Sequence, residues 1–206
     1  MKITKIKEDI TSEIAKSFKE SIAIDTEATG LQIPQRDRLS LIQICDEKDN
    51  VFIIQPNKDF KAPNLVSVLE NEKILKIGHF LRFDKNALEF FLKCKLKNIF
   101  DTKIASKIVR TYTDAHGLKN LVQEFCNKSI DKRAGSSDWN KDIDELTNKQ
   151  LDYAANDVIY LHKIKVELEK MLIREKRMEV FKKCLNFLDV RVELDQKGFK
   201  EDIFEH

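Results

Sequence analysis

Hydrophobic and polar positions divide the chain into short blocks. Ile22-Ala23-Ile24 is an apolar run suited to a buried strand, and β-branched side chains fit a pleated surface. That stretch ends in a turn at Thr29-Gly30, and residues 32–38 form a polar loop containing Pro34. Residues 39–45 and 51–54 read as strands flanking the polar turn 46–50, which predicts an antiparallel hairpin beside the first strand. Pro63-Asn64 opens a short helix with Leu65, Val66, Val68 and Leu69 as its apolar positions. Residues 74–78 form a further strand that runs into His79-Phe80-Leu81-Arg82-Phe83-Asp84, the start of a helix turning Leu88, Phe91 and Leu92 inward. Ile99-Phe100-Asp101 is a last short strand.

Helical spacing dominates from there on. Residues 102–110 carry Ile104, Ala105 and Ile108 on one face, Gly117 interrupts, and residues 118–125 form another helix. Residues 127–140 read as an irregular loop holding Gly135, Ser136, Ser137, Asp138 and Trp139; structureless loops of that length are often functional. Thr147 is placed as a helix N-cap, with Gln150 at the capping-box position and Leu146 and Leu151 as a hydrophobic staple. The helix it opens is expected to carry Tyr153, Asp157 and Leu161 through to Leu172, with two more helices after it. Strands first and helices later, mixed with crossovers, predict an α/β fold: a mixed central sheet flanked by helices on both faces.

The totals narrow the classes. At 206 residues the chain is long enough for one domain with a full core and short for two. No apolar run approaches the roughly 20 residues that span a bilayer. The N-terminal residues lack the apolar stretch of a signal peptide. The expectation is a soluble cytoplasmic protein with no membrane partner. Cys45, Cys94, Cys126 and Cys184 are scattered with no CxxC pair, which argues against a zinc or thioredoxin-type site and for reduced thiols. Basic and acidic residues nearly balance, 37 against 35. Proteins that hold long nucleic acids usually carry a marked basic excess, so a nucleic-acid substrate here would be a short one.

The acids give the chain its candidate chemistry. Asp25 and Glu27 are two apart in a strand, so both side chains leave the same face where the strand ends. Two like charges aimed at one point repel unless a cation lies between them; alternatively, one is solvated and the other caps a helix. Asp84 opens a helix that follows a strand, a position that N-cap chemistry also favours. Asp157 lies one helical turn after Tyr153, near Ala154, Val158 and Leu161, where an aspartate needs a partner, a structural salt bridge being the plainer choice. Taken together, four acids from three elements suit two hard divalent cations, Mg²⁺ or Mn²⁺. In two-metal phosphodiester chemistry such ions lie roughly 3.5–4 Å apart and clamp the attacking and leaving oxygens. Tyr153 can orient the attacking water. No Ser-His-Asp or Cys-His arrangement and no Walker-type glycine loop competes.

At this point the motifs resemble a family. Asp25-Thr26-Glu27, His79-Phe80-Leu81-Arg82-Phe83-Asp84 and Tyr153-Ala154-Ala155-Asn156-Asp157 are similar to the three motifs of DEDD 3′–5′ exonucleases, in the tyrosine subclass (DEDDy) typified by ribonuclease D. Leu39-Ser40-Leu41-Ile42-Gln43-Ile44 resembles the second strand of that group. Asp101-Thr102-Lys103, Arg110-Thr111-Tyr112, His116-Gly117-Leu118-Lys119, Ser136-Ser137-Asp138-Trp139 and the tail around Asp195 and Asp202-Ile203-Phe204 resemble the NrnC group of alphaproteobacteria over essentially the whole chain.

The resemblance implies a ribonuclease H-like, DnaQ-like exonuclease fold without the extra helical domains of ribonuclease D. It implies a 3′–5′ exoribonuclease acting on very short RNA, chiefly dinucleotides, in a homo-octameric ring. Asp25, Glu27, Asp84 and Asp157 would be metal ligands, and Tyr153 would position the water. Leu31 matches a leucine that wedges between two bases, and His79 a position near the substrate; each also has a plainer reading, as core leucine or satisfied polar residue. Thr26, Arg82, Ser137 and Trp139 complete the candidate substrate contacts, and Lys103 and Arg110 are candidate phosphate contacts. Two other readings stay open: a general exonuclease on longer RNA or DNA, and a catalytically dead member kept as a binding module.

Overall fold

The computed structural model describes residues 1–33, 35–130, 138–199, 201 and 203. Strands β1 (Lys2–Lys7), β2 (Ser21–Ala28), β3 (Leu39–Cys45), β4 (Asn50–Gln55), β5 (Leu75–Gly78) and β6 (Ile99–Asp101) form one sheet in the order β1-β4-β3-β2-β5-β6. The expected hairpin is there: β3 runs antiparallel to both β2 and β4. The remaining pairs, β1 with β4, β2 with β5 and β5 with β6, are parallel. The sheet is therefore mixed, as expected. β1 has no counterpart in the sequence reading, because Lys2-Ile3-Thr4-Lys5-Ile6-Lys7 shows the polar alternation of an exposed edge.

Helices cover both faces. Ile22, Ile24, Ile42, Ile44 and Ile54 meet α2 (Pro63–Leu69) and α3 (Arg82–Leu92) in one core. Ala23, Leu41, Cys45, Val51 and Ile53 meet the other core, with α4 (Thr102–Val109), α5 (Leu118–Cys126), α6 (Asn148–Asn156) and α7 (Leu161–Arg174). The alternation along β2 thus sorts its side chains: Ile22, Ile24 and Thr26 to one side, Ala23, Asp25 and Glu27 to the other. A short helix α1 (Ser12–Ser17), capped by Thr11, precedes β2.

The capping box of Thr147 and Gln150 forms as the sequence predicts. The helix it opens is shorter than expected. It ends at Asn156, Asp157 is its C-cap, and residues 157–160 turn before α7 begins. Asp157 is therefore not mid-helix, although its αR backbone keeps it one turn from Tyr153. After α7 comes a single long helix, α8 (Met178–Gln196), rather than two. It is clamped to α3 by Arg82–Asp195 and Lys85–Asp189 ion pairs, each 2.8 Å.

The segment between β5 and α3 is fixed by one buried carboxylate. Asp101 accepts hydrogen bonds from the backbone N–H groups of Phe80, Leu81, Lys103 and Ile104, so it caps α4 and pins the preceding turn together. Leu81 folds back onto Gly78 so closely that a Cβ there would lie 2.1 Å from Leu81 Cδ2. Gly78→Ala is therefore expected to destabilise the fold by about 1–3 kcal/mol through overpacking. Urea denaturation checks this; a midpoint equal to that of the native sequence would refute the packing argument.

Candidate active site

The alternation of β2 has its chemical consequence at the strand's end. Carboxylate oxygens of Asp25, Glu27 and Asp157 all lie within 4.8 Å of one another. The strand supplies two of them from one face, and the C-terminus of α6 brings the third over that face. Three negative charges at this spacing repel one another, and a cation between them would relieve that repulsion. The set is all oxygen, hard and anionic, which fits a Mg²⁺- or Mn²⁺-type cation. Among the described residues no other group of three potential ligands comes together in this way.

Asp84 does not join that trio. It sits in the first turn of α3 on the other side of β2, buried, and accepts a hydrogen bond from Thr26 Oγ1 at 2.7 Å. The Thr26 backbone N–H donates to it as well. Burial outweighs these bonds and lifts the Asp84 carboxyl to about 7. Thr26, flanked in sequence by Asp25 and Glu27, therefore links the fourth acid to the other three.

Tyr153 faces the trio from α6. Burial, and then the charges of Asp157, Glu27 and Asp25, push its hydroxyl well above the usual phenol range, so it stays protonated. Its ring lies 5.9 Å from that of Trp139, which is buried. Both rings line a cleft of about 510 Å³ together with Asp25, Glu27, Asp157, Leu31 and His79.

The remaining candidates separate clearly. Leu31 is 85% exposed on the wall of the cleft, so it is not core. Its loop is held from below: Asp37 is buried under Gly30, accepts from the Gln32 N–H at 2.7 Å, and leaves no room for a Cβ at Gly30. His79 Nδ1 lies 2.9 Å from Thr102 Oγ1, whose own proton goes to the Gly78 carbonyl. That pattern places the imidazole proton on Nδ1.

Arg82 does not line the cleft; it makes a two-pronged ion pair with Asp195 at 2.8 Å. Arg110 is buried against Glu124, Ser106 and the Ala115 carbonyl, tying α4 to α5 rather than facing a substrate. Lys103 lies over the ring of Phe80, 4.2 Å from its centroid. Ser136 and Ser137 lie outside the described residues, as do Asp202 and Phe204. Sequence reasoning passed over Phe83 and Leu118, which also line the cleft, because each reads as an ordinary core position of its helix. It also missed the bracing role of Asp101, although an aspartate followed by a helical run is a legible N-cap signal.

Comparison with known proteins agrees with this geometry. Residues 2–173 match the model of a 3′-5′ exonuclease family. The chain is 33% identical over 156 residues to ribonuclease D of Haemophilus influenzae, covering 76% of this chain and 38% of that protein. It is 33% identical over 151 residues to DNA polymerase I of Aquifex aeolicus, covering 72% of this chain and 24% of that one. It thus spans well under half the length of these curated relatives. Structures of Brucella melitensis NrnC match over the full length at 42% identity: one with bound Mg²⁺ at a TM-score of 0.91, covering 100% of both chains, and one bound to pGG at 0.92, covering 100% of this chain and 99% of that one. The strand order, the carboxylate trio and the full-length likeness agree, and the chain belongs to the 3′–5′ exonuclease family and, within it, to the NrnC group.

Proposed function

We propose that this protein is a two-metal, DEDDy-type 3′–5′ exoribonuclease that hydrolyses very short RNA, chiefly dinucleotides, to nucleoside 5′-monophosphates in the cytoplasm. The observation that carries the reading is the trio of carboxylates within 4.8 Å on the wall of a cleft beside Tyr153. Asp25, Glu27 and Asp157 would hold one divalent cation, and Asp84, coupled to them through Thr26, would serve a second. Such cations, Mg²⁺ or Mn²⁺, neutralise charge developing on the phosphoryl group and acidify water. Tyr153, kept protonated, donates a hydrogen bond and orients the attacking water. The water oxygen would bond to phosphorus, releasing a proton to solvent, as the bond from phosphorus to the 3′ oxygen breaks and that oxygen takes up a proton from solvent. Leu31 offers an apolar surface to bases, with His79, Trp139 and Thr26 around the same cleft.

The preference for a short substrate has its own support. Among the described residues, no lysine or arginine lines the cleft, and Arg82 and Arg110 are engaged elsewhere. A long backbone would need cationic contacts that this lining lacks. The pGG found in Brucella melitensis NrnC is a ligand of this size. We also propose a homo-oligomer, octameric as the NrnC resemblance implies, supported by exposed Val180, Phe187 and Val190 on α8. Among the described residues no helix is long and apolar enough to cross a membrane.

Asp25→Asn and Asp157→Asn are each expected to cut cleavage roughly 100-fold or more while leaving the melting temperature near that of the native sequence, since each removes an anionic ligand. Full activity in either would refute the ligand assignment. On 5′-labelled RNAs in Mg²⁺, the dinucleotide should disappear fastest; an even ladder down long RNAs would instead make this a general exonuclease. Asp84 yields a pH test. Its folded-state pKa, about 7, exceeds its ordinary value of 3.8, so the metal-free folded state keeps a proton that the unfolded state releases. The contribution of Asp84 to stability in EDTA should therefore fall as pH rises from about 4 to about 7 and level off above. Asp84→Asn should flatten that slope in thermal melts. An unchanged slope would assign it to other groups.

A further inference from the structure

Gln43 lies in the middle of β3 and is 0% exposed. Both polar atoms of its amide, Nε2 and Oε1, are buried without a hydrogen-bond partner among the described residues. Leaving such a group unsatisfied costs about 1–3 kcal/mol. The antiparallel register sets Gln43 directly opposite Asp25, and opposite residues project to the same face. On its other side the same cross-strand row continues through Ile53 to Lys5. The row faces the core beneath α6, the helix that carries Tyr153 and ends at Asp157. An orphaned buried amide thus borders Asp25, a member of the carboxylate trio, without itself lining the cleft.

Directly opposite side chains have their Cβ atoms about 4.5–5.5 Å apart, a separation from which an amide and a carboxylate can meet through one water. A trapped water between polar groups is an ordinary way to satisfy a buried amide. We propose that Gln43 is a positioning residue: its amide, through one buried water, holds the Asp25 carboxylate in the orientation that cation binding requires. The inference rests on the function proposed above but concerns the metal-binding step. Gln43 does not line the cleft. It acts on Asp25 as outer-shell groups act on metal ligands elsewhere.

The test uses Gln43→Met, which keeps the length of the side chain and removes both polar atoms. Its melting temperature in EDTA should stay near that of the native sequence, since an apolar side chain of the same length fills the space of the amide. Its Mg²⁺ affinity by calorimetry should fall roughly tenfold, and kcat on a dinucleotide should fall with it while KM holds. A stable variant with Mg²⁺ affinity and kcat within about twofold of the native values, against that expected tenfold loss, would overturn the inference. Should the variant not fold, a high-resolution crystal structure of the native protein with Mg²⁺ decides. A water bonded to both the Gln43 amide and Asp25 supports the proposal; an amide bonded elsewhere overturns it. If the native protein binds Mg²⁺ but cleaves no RNA, the proposed function fails, while the affinity and crystallographic tests of Gln43 still stand.

Discussion

Three carboxylates held within 4.8 Å of one another set the central constraint on this molecule. Like charges at that spacing repel, and the penalty is larger in a partly buried cleft than in water. The chain holds them there because each is fixed by an element that is stable for other reasons. β2 is held by β5 at its start and by β3 along Asp25 and Glu27, which fixes both carboxylates on one face. α6 is anchored at its start by the Thr147–Gln150 capping box and buried along Ala154 and Ala155, so its C-terminus carries Asp157 to one place. The apolar packing on both faces of the sheet thus sets where the three carboxylates stand.

The same division of labour extends to the fourth acid. Asp84 sits on the opposite face of the sheet, where α3 begins, and is linked to the trio through Thr26. The turn before it is set by Asp101, which spends its hydrogen-bonding capacity on four backbone N–H groups, and by the tight seat of Leu81 on Gly78. α8 then braces α3 from outside through Asp195 and Asp189. A cationic side chain that sequence alone assigns to the substrate, Arg82, is part of this brace.

What was legible in the sequence follows from the range of the signal. Strand alternation is local, so β2, the β3–β4 hairpin and the shared face of Asp25 and Glu27 could be read directly. Capping chemistry is local as well, and Thr147 with Gln150 formed as written. The turn at residues 157–160 was not legible, because Tyr153, Asp157, Leu161 and Ile164 keep helical spacing across it. β1 was hidden because three lysines alternate with Ile3, Thr4 and Ile6 on an edge, where one-sided burial erases the hydrophobic run. The engagements of Arg82 with Asp195 and Arg110 with Glu124 depend on where helices dock, and no local pattern states that.

The placing of β1 has a kinetic side. It pairs in parallel with β4, so Lys2 must find Asn50 and Lys7 must find Gln55. The β3–β4 hairpin between nearby residues closes a short loop, whereas β1 can add only after that hairpin exists to receive it. Long-range parallel pairings form late because chain entropy must be overcome before any contact compensates for it. Assembly from the hairpin outward would bring this lysine-bordered edge into the sheet only after β3 and β4 have paired.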